Sequence, residues 1–189
     1  PRGFSRIEIS VCEATPSTIY LLGNQRGNAS NIYASYNSGE NWFMLGIPSS
    51  VEGLGNFARG QGGYDLTIAV DPFDCSHLIV GGIDPYESRD GGNTWRQIGH
   101  WYGGFGLQYI HADQHAAVFD NEREGVIYLG NDGGIFRSTD GGRNYPNRNL
   151  GYNVTQFYAG AIHPEAYSNY ILGGTQDNGS LRIDDFDVS

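Results

Sequence analysis

Ser88-Arg-Asp-Gly-Gly-Asn-Thr-Trp95 has two close copies in the chain, which read Ser35-Tyr-Asn-Ser-Gly-Glu-Asn-Trp42 and Ser138-Thr-Asp-Gly-Gly-Arg-Asn-Tyr145. The copies begin 53 and 50 residues apart and share the frame Ser-x-Asp/Asn-x-Gly-x-Asn/Thr-aromatic. Ser, Asp and Asn side chains hydrogen-bond to nearby backbone groups, and Gly allows a positive φ. Each copy is therefore predicted to form a tight hairpin, and a period near fifty residues indicates a repeat architecture.

Two apolar, strand-like runs precede each copy of the motif. Before the second copy they are Leu66–Val70 and His77–Gly82, joined by the turn signal Asp71-Pro-Phe-Asp74. Together with a third strand, the hairpin and an outer strand, these runs make a four-stranded antiparallel meander, the blade of a β-propeller. The sequence therefore predicts an all-β propeller, with approximate blades at residues 6–46, 65–99, 113–147 and 156–186.

The fourth repeat is incomplete, because it has neither an aromatic-closed motif nor an outer strand. An open arc of blades exposes sheet faces and edges. We therefore expect residues 1–189 to be one segment of a larger propeller, with about three complete blades and a partial fourth, rather than a closed four-blade ring.

The repeated motif is interpreted as a structural element with no catalytic part. Its closing aromatic is large enough to anchor the hairpin in the apolar layer between blades, so burial of all three aromatics is predicted. The residues assigned to this role are Ser35, Asn37, Gly39, Trp42, Ser88, Asp90, Gly92, Trp95, Ser138, Asp140, Gly142 and Tyr145.

The chain is acidic, with a formal net charge of −10, and all eleven basic residues are Arg. Nucleic-acid binding draws on clustered positive charge, so a nucleic-acid partner is not expected. No apolar stretch is long enough to predict a membrane span, and no cofactor is predicted. The charge is compatible with cations, sugars or a basic protein surface as ligands.

Loops of a meander alternate between the two ends of the sheet. The loops between second and third strands share one end with the blade-to-blade connections, here called the second rim, and the hairpin motifs lie at the other. Long Gly- and aromatic-rich connections are typical of binding sites. The predicted site residues there are Asp84, Asp132, Asp177, Trp101 and Tyr102. Converging carboxylates can bind a cation, hydrogen-bond to sugar hydroxyls or form an acid/base pair, or each can only stabilise its own turn.

His111, Asp113 and His115 are two residues apart, so in a strand they share one face. That arrangement is compatible with half of a transition-metal site. We expect instead that His111 and Asp113 contact a ligand, and we predict no metal site from this cluster.

Cys12 and Cys75 lie at or just after the inner strands of adjacent repeats, at the same rim. They are candidates for a disulfide, which fits a secreted protein.

Two segments resemble sortilin-type propellers and their bacterial secreted relatives, which carry Asp-box (BNR-type) repeats. They are Val126-Ile-Tyr-Leu-Gly-Asn-Asp-Gly-Gly-Ile-Phe-Arg-Ser-Thr-Asp-Gly-Gly142 and Leu172-Gly-Gly-Thr-Gln-Asp-Asn-Gly-Ser180. The resemblance implies an extracellular or cell-surface protein that binds a protein or glycan ligand through the second rim.

A related branch, the xyloglucanase-like glycoside hydrolases, implies an alternative. Its catalytic aspartates lie in a loop that resembles Asn131-Asp-Gly-Gly134. On that resemblance Asp132 is a catalytic acid or base, and Asp177 in the next repeat is a second candidate. Whether the chain is catalytic stays open on sequence alone.

Overall fold

The structure is a computed structural model that describes residues 2–25, 30–152, 155–165 and 170–183. All regular elements in these ranges are β-strands, which confirms the all-β prediction. Among the same residues no helix is long and apolar enough to cross a membrane. The chain divides into two compact units, Pro1–Arg148 and Asn149–Ser189. The last residues of the predicted fourth repeat, 184–186, lie outside the described ranges.

Each sheet is an antiparallel meander in which consecutive strands pair. The first unit holds three sheets. The first sheet consists of β1 (Phe4–Val11), β2 (Ile19–Gln25), β3 (Ser30–Ser35) and β4 (Phe43–Met44), and the second of β5 (Thr67–Val70), β6 (Leu78–Gly81), β7 (Pro85–Ser88) and β8 (Arg96–Gln97). The third sheet consists of β9 (Gln114–Phe119), β10 (Ile127–Asn131) and β11 (Gly134–Ser138). The second unit holds one sheet, formed by β12 (Phe157–Ile162), β13 (Ile171–Thr175) and β14 (Ser180–Ile183).

The middle sheet of the first unit is covered on both faces. Every residue of β5, β6 and β7 is buried. Ile68 and Val80 pack into one apolar cluster with Leu22 of the first sheet, whereas Ile79 packs into another with Leu129 of the third. Because both faces are buried, these strands read as continuous apolar runs rather than as an alternating pattern.

The inner strands of the three sheets lie side by side. β1 contacts β5, and β5 contacts β9. The Val70 backbone N–H donates to Ser10 Oγ at 3.0 Å, and the Ala117 N–H donates to Thr67 Oγ1 at 3.2 Å. These side-chain bonds link strands of neighbouring sheets, which is the arrangement expected of successive blades.

The three repeated motifs form equivalent hairpins. In each copy the Ser Oγ accepts a hydrogen bond from the N–H of the Gly four residues later, at 2.9 Å from Gly39, 2.8 Å from Gly92 and 2.9 Å from Gly142. These glycines have φ angles of 88°, 87° and 82°, a conformation that disfavours a side chain. The predicted turn chemistry is therefore present in all three copies.

The closing aromatics are not equally buried. Tyr145 is buried, but Trp42 and Trp95 are only half-buried, so the prediction of three buried anchors is wrong for the two tryptophans. Each indole N–H donates to a backbone carbonyl, at 2.9 Å to Gly39 for Trp42 and at 2.8 Å to Gly46 for Trp95. These polar contacts hold the rings at the margin of the apolar layer.

The third sheet has three strands where four were predicted. After the third hairpin, the Arg137 N–H donates to the Pro146 carbonyl at 3.1 Å and the Arg148 N–H donates to the Ile135 carbonyl at 2.8 Å. The segment thus follows β11 without forming a regular strand. Pro146 lacks an N–H and cannot donate a ladder hydrogen bond, which explains the interruption.

The candidate disulfide between Cys12 and Cys75 is present. Their Cα atoms lie 5.5 Å apart, and 63 positions separate the two residues in sequence. The bond joins the end of β1 to the turn between β5 and β6, and thus links the first and second sheets.

Candidate functional site

The second rim is covered by the connections between sheets. The Asn56 side-chain amide donates to the Ser30 carbonyl at 3.1 Å, and the Trp101 backbone N–H donates to Asp84 Oδ1 at 2.9 Å. Both connections therefore fold back over the loops between second and third strands, as loop alternation predicts. The side chains at this rim that are considered as a site form two groups, one aromatic and one acidic.

The aromatic group consists of Trp101, Tyr102 and Phe105, which are 43%, 52% and 59% exposed. Their rings lie around the buried ring of His100, with ring centroids 4.1 Å apart for His100 and Tyr102 and 4.5 Å apart for Trp101 and Tyr102. Neighbouring exposed aromatics of this kind mark ligand- or partner-binding surfaces.

A partly buried ionic cluster supports the aromatic group from below. The Tyr102 hydroxyl donates to Glu52 Oε1 at 3.0 Å. Arg59 pairs with Glu52 and, at 3.5 Å, with Asp84 Oδ2. Asp84 is fully buried, so it supports Trp101 and is not part of the exposed surface. Burial raises the pKa of Asp84, although His100, the Trp101 N–H and Arg59 each oppose the rise.

The acidic group, called here the carboxylate cluster, consists of Asp65, Asp113 and Asp132. Asp132 lies in the turn between β10 and β11. His115 Nε2 is 2.6 Å from its Oδ1, and the Tyr64 hydroxyl donates to its Oδ2 at 2.9 Å. One carboxylate oxygen of Asp132 and one of Asp113 lie within 4.8 Å of each other. Both oxygens of Asp132 are thereby held in place beside a second carboxylate.

Asp65 lies two residues before β5 and is the buried member of the carboxylate cluster. It is 0% exposed, and its carboxyl group lies beside that of Asp113. Burial, together with the neighbouring charge of Asp113, raises the pKa of Asp65 to about 8. Sequence reasoning did not select Asp65. The available signal was an acidic residue directly ahead of the apolar run Leu66–Val70.

The carboxylate cluster and the aromatic group are neighbours on the second rim. The Asp113 backbone N–H donates to the Ile83 carbonyl at 3.0 Å. The next residue, Asp84, holds the Trp101 N–H. One loop, between β6 and β7, therefore positions both groups.

His111, Asp113 and His115 do not share a strand face as predicted. β9 begins at Gln114, and Asp113 has a φ of 64°, so the alternation of an extended strand does not apply before Gln114. His111 is buried, its Nδ1 is 3.2 Å from the Ala112 carbonyl, and its ring packs against Gly133. A Cβ at Gly133 would lie 2.3 Å from His111 Cγ, which explains the small residue there. Asp113 and His115 remain in the site, whereas His111 supports it.

Asp177 belongs to the second unit. It lies in the turn between β13 and β14, is exposed and has a φ of 57°. A left-handed conformation is common for Asp in such turns.

No protein-family model matches the chain. A probable oligoxyloglucan-reducing end-specific xyloglucanase of Neosartorya fischeri is 26% identical over 140 residues, which cover 69% of this chain and 16% of the relative. Among solved structures, the Niastella koreensis GH74 enzyme matches with a TM-score of 0.54 and 19% identity, over 94% of this chain and 28% of that chain.

Two further solved structures share the fold. The GH74 xyloglucanase of Xanthomonas campestris has a TM-score of 0.52 and 19% identity, over 93% of this chain and 27% of that chain. YCF48 of Cyanidioschyzon merolae has a TM-score of 0.52 and 15% identity, over 100% of this chain and 59% of that chain. The fold is a β-propeller. It is similar to the propellers of xyloglucanases, and the chain spans only part of the length of each protein that it matches.

Proposed function

We propose that this chain is part of an extracellular propeller protein of the glycoside-hydrolase type, whose second rim binds a polysaccharide of the xyloglucan class. The observation that carries the proposal is the aromatic group of Trp101, Tyr102 and Phe105. Its rings are exposed, anchored from below and adjacent to the carboxylate cluster.

The chemistry of the two groups suits a sugar chain. Exposed rings stack against the C–H faces of pyranose rings, and carboxylates accept hydrogen bonds from hydroxyl groups. Ligand sites combine such apolar surfaces with a few fixed polar groups. The hydrogen bonds to Asp84 and Glu52 hold the aromatic group in one arrangement before a ligand binds, which lowers the ordering cost of binding.

The similarity to xyloglucanases supports the choice of ligand class. The disulfide between Cys12 and Cys75 supports an extracellular location, because disulfides persist in oxidising compartments. The sortilin-type resemblance leaves a protein ligand as the competing choice for the same rim.

Replacing Trp101 or Tyr102 with Ala is expected to weaken xyloglucan binding by about tenfold or more, because anchoring aromatics at a binding surface contribute more than about 1.4 kcal/mol. Affinity electrophoresis in xyloglucan-containing gels, followed by calorimetry with xyloglucan oligosaccharides, measures the loss.

Tyr36→Ala is the matched control. Tyr36 is 52% exposed, like Tyr102, but it lies in a hairpin motif at the opposite rim. Unchanged affinity in both second-rim variants, or an equal loss in the control, contradicts the proposed surface. If the wild type binds no polysaccharide but captures a protein partner that the Trp101 variant does not bind, the sortilin-like alternative is favoured.

A second candidate function is hydrolysis with Asp132 as acid or base. The two hydrogen bonds to its carboxylate favour it, because they hold Asp132 in a fixed orientation. A glycosidase also needs a second carboxyl group, about 5–5.5 Å away in retaining and about 6.5–9.5 Å away in inverting enzymes. We propose that this partner comes from another part of a larger protein, as in the two-propeller xyloglucanase-like enzymes that the sequence resembles.

If the larger protein hydrolyses xyloglucan, Asp132→Asn is expected to lower kcat about 100-fold or more, the effect of losing an essential acid or base. Reducing-sugar release measures the rate, and Asp177→Asn tests the other predicted catalytic residue in the same assay. Glu124→Gln, a change of an exposed carboxylate, is the control. Undiminished turnover in the Asp132 variant excludes this role.

A further inference from the structure

A concave pocket lies beside the second hairpin motif, at the rim opposite the aromatic group. It has a volume of about 220 Å³ and is lined by Glu87, Arg89, Thr94, Trp95 and Arg96. Pockets for drug-sized ligands measure about 300–1,000 Å³, so this pocket suits a smaller unit, such as one sugar ring or one amino-acid side chain. The proposed function of the second rim makes no use of it.

Two arginines of the pocket are held by one buried carboxylate. Glu87 Oε1 accepts a hydrogen bond from Arg89 Nη2 at 2.6 Å, and Glu87 Oε2 pairs with Arg96 Nη2. Arg89 Nη2 also donates to the Gly141 carbonyl at 2.6 Å, which ties it to the third hairpin. The two guanidinium groups are thus fixed beside the same pocket, although 53% and 62% of their side-chain surfaces stay exposed.

Each guanidinium group keeps hydrogen-bond donors for a ligand. The contacts above use only Nη2, and Nε and Nη1 of both arginines have no partner within residues 2–25, 30–152, 155–165 and 170–183. Arg binds carboxylates through paired, charge-assisted hydrogen bonds. The lining groups carry two positive charges and one negative charge, in a chain with a net charge of −10. The pocket therefore offers a local site for a carboxylate on an acidic protein.

The other lining residues favour a sugar ring over an amino-acid side chain. The indole N–H of the half-buried Trp95 already donates to the Gly46 carbonyl at 2.8 Å, so Trp95 offers a ligand its apolar ring. The Thr94 hydroxyl donates to Asp90 Oδ2 at 2.7 Å, so its oxygen can still accept a hydrogen bond from a sugar hydroxyl. The side chain of an acidic peptide has no such hydroxyl to donate.

The hairpin itself does not need the arginine pair. The other two copies of the motif have uncharged residues at the positions of Arg89 and Arg96. They are Tyr36 and Phe43 in the first copy, and Thr139 and Pro146 in the third. All three copies nevertheless form the same hydrogen bond from Gly N–H to Ser Oγ. Formation of the turn therefore does not explain the pair, whereas a carboxylate ligand does.

We propose that this pocket binds a uronic acid unit of an acidic polysaccharide, with the carboxylate on Arg89 and Arg96 and the sugar ring against Trp95. The site goes beyond the proposed binding of xyloglucan, because it lies at the other rim and takes a charged sugar. It also gives the second hairpin motif a binding role in addition to its structural one.

Calorimetry with trigalacturonate at physiological ionic strength is expected to show one saturable site per chain. The methyl ester of the same trisaccharide has the same ring and hydroxyl groups but no negative charge. We expect it to bind at least about tenfold more weakly, because hydrogen bonds between charged groups contribute more than the equivalent of tenfold in affinity.

Arg96→Gln and Arg89→Thr are each expected to weaken trigalacturonate binding by about tenfold or more. Arg89→Thr introduces the residue type of the third copy, Thr139, which is compatible with the hairpin. Arg143→Gln is the matched control, because it removes the same charge from an exposed residue of the third hairpin. It is expected to bind like the wild type. Thermal unfolding of each variant verifies that it is folded.

Four results would overturn the uronic acid site. They are no saturable trigalacturonate binding by the wild type, equal affinity for its methyl ester, full affinity in both pocket variants, or an equal loss in the Arg143 variant. Tighter binding of a hexaglutamate peptide than of trigalacturonate would overturn the choice of a sugar ligand. Because the second-rim test uses neutral xyloglucan and other residues, either proposal can fail without the other.

Discussion

Reduction of the Cys12–Cys75 disulfide is expected to lower the free energy of unfolding by about 4 kcal/mol. The bond closes a loop across 63 positions and joins two neighbouring sheets. In the chain-entropy account, a loop of this length restricts the unfolded ensemble by about that amount. Guanidinium unfolding of the oxidised and the reduced protein, compared through their midpoints and slopes, measures the difference.

The double variant Cys12→Ser/Cys75→Ser provides the control, because its unfolding midpoint should not respond to reductant. The effect on stability is separate from any effect on the second rim, since the disulfide lies at the rim of the hairpin motifs. Coincident unfolding curves for the oxidised and reduced wild type contradict the prediction.

Glu87 is expected to make stability fall steeply in acid. This β7 residue is 2% exposed, lies 2.9 Å from His77 Nε2 and pairs with Arg89 and Arg96. Burial alone would raise the pKa of Glu87, but the hydrogen bonds from His77, Arg96 and Arg89 outweigh it and lower the pKa from 4.5 to about 2.

A pKa that is lower in the folded than in the unfolded state stabilises the protein above the unfolded value. The contribution of Glu87 is therefore complete above about pH 5 and lost as pH falls towards 2. A shift of this size corresponds to about 3 kcal/mol. Glu87→Gln is expected to cost about 3 kcal/mol at pH 7, because His77 and the two arginines lose their anionic partner.

Denaturant unfolding from pH 7 to pH 2 tests this prediction. Other carboxylates also titrate in this range, so the informative quantity is the difference between wild type and Glu87→Gln at each pH. That difference should shrink as pH falls. A constant difference across the range, or an equal change in the exposed control Glu122→Gln, contradicts the assignment.

Much of the propeller could be predicted because its signals are local. Ser88, Asp90 and Gly92 bond within one hairpin, so eight residues determine that turn. Topology then predicted which loops share a rim, and the Asp84–Trp101 contact agrees with it. An outer strand was wrongly predicted for the third sheet, because the effect of Pro146 on strand pairing was not considered.

The site residues were predicted less completely because their environment is built from distant parts of the chain. Asp65 and Asp113 are neighbours in the fold but 48 residues apart in sequence, and no local pattern relates them. His111 was placed on a strand face, but the left-handed backbone of Asp113 turns the chain before β9 begins. The spacing of acidic residues in the sequence therefore did not show which of them are neighbours in the fold.

The sequence by itself determined the hairpins and the repeat of antiparallel sheets, because both follow from short-range turn chemistry repeated at a regular interval. It offered Cys12 and Cys75 only as candidates for a disulfide. Only the tertiary structure decided that Trp95 is half-buried while Tyr145 is buried, that Asp84 lies beneath the aromatic group, and that Asp65 lies next to Asp113. Burial and charge environment depend on which neighbours a residue acquires when distant segments pack, and the free energies of those contacts are set by the assembled fold.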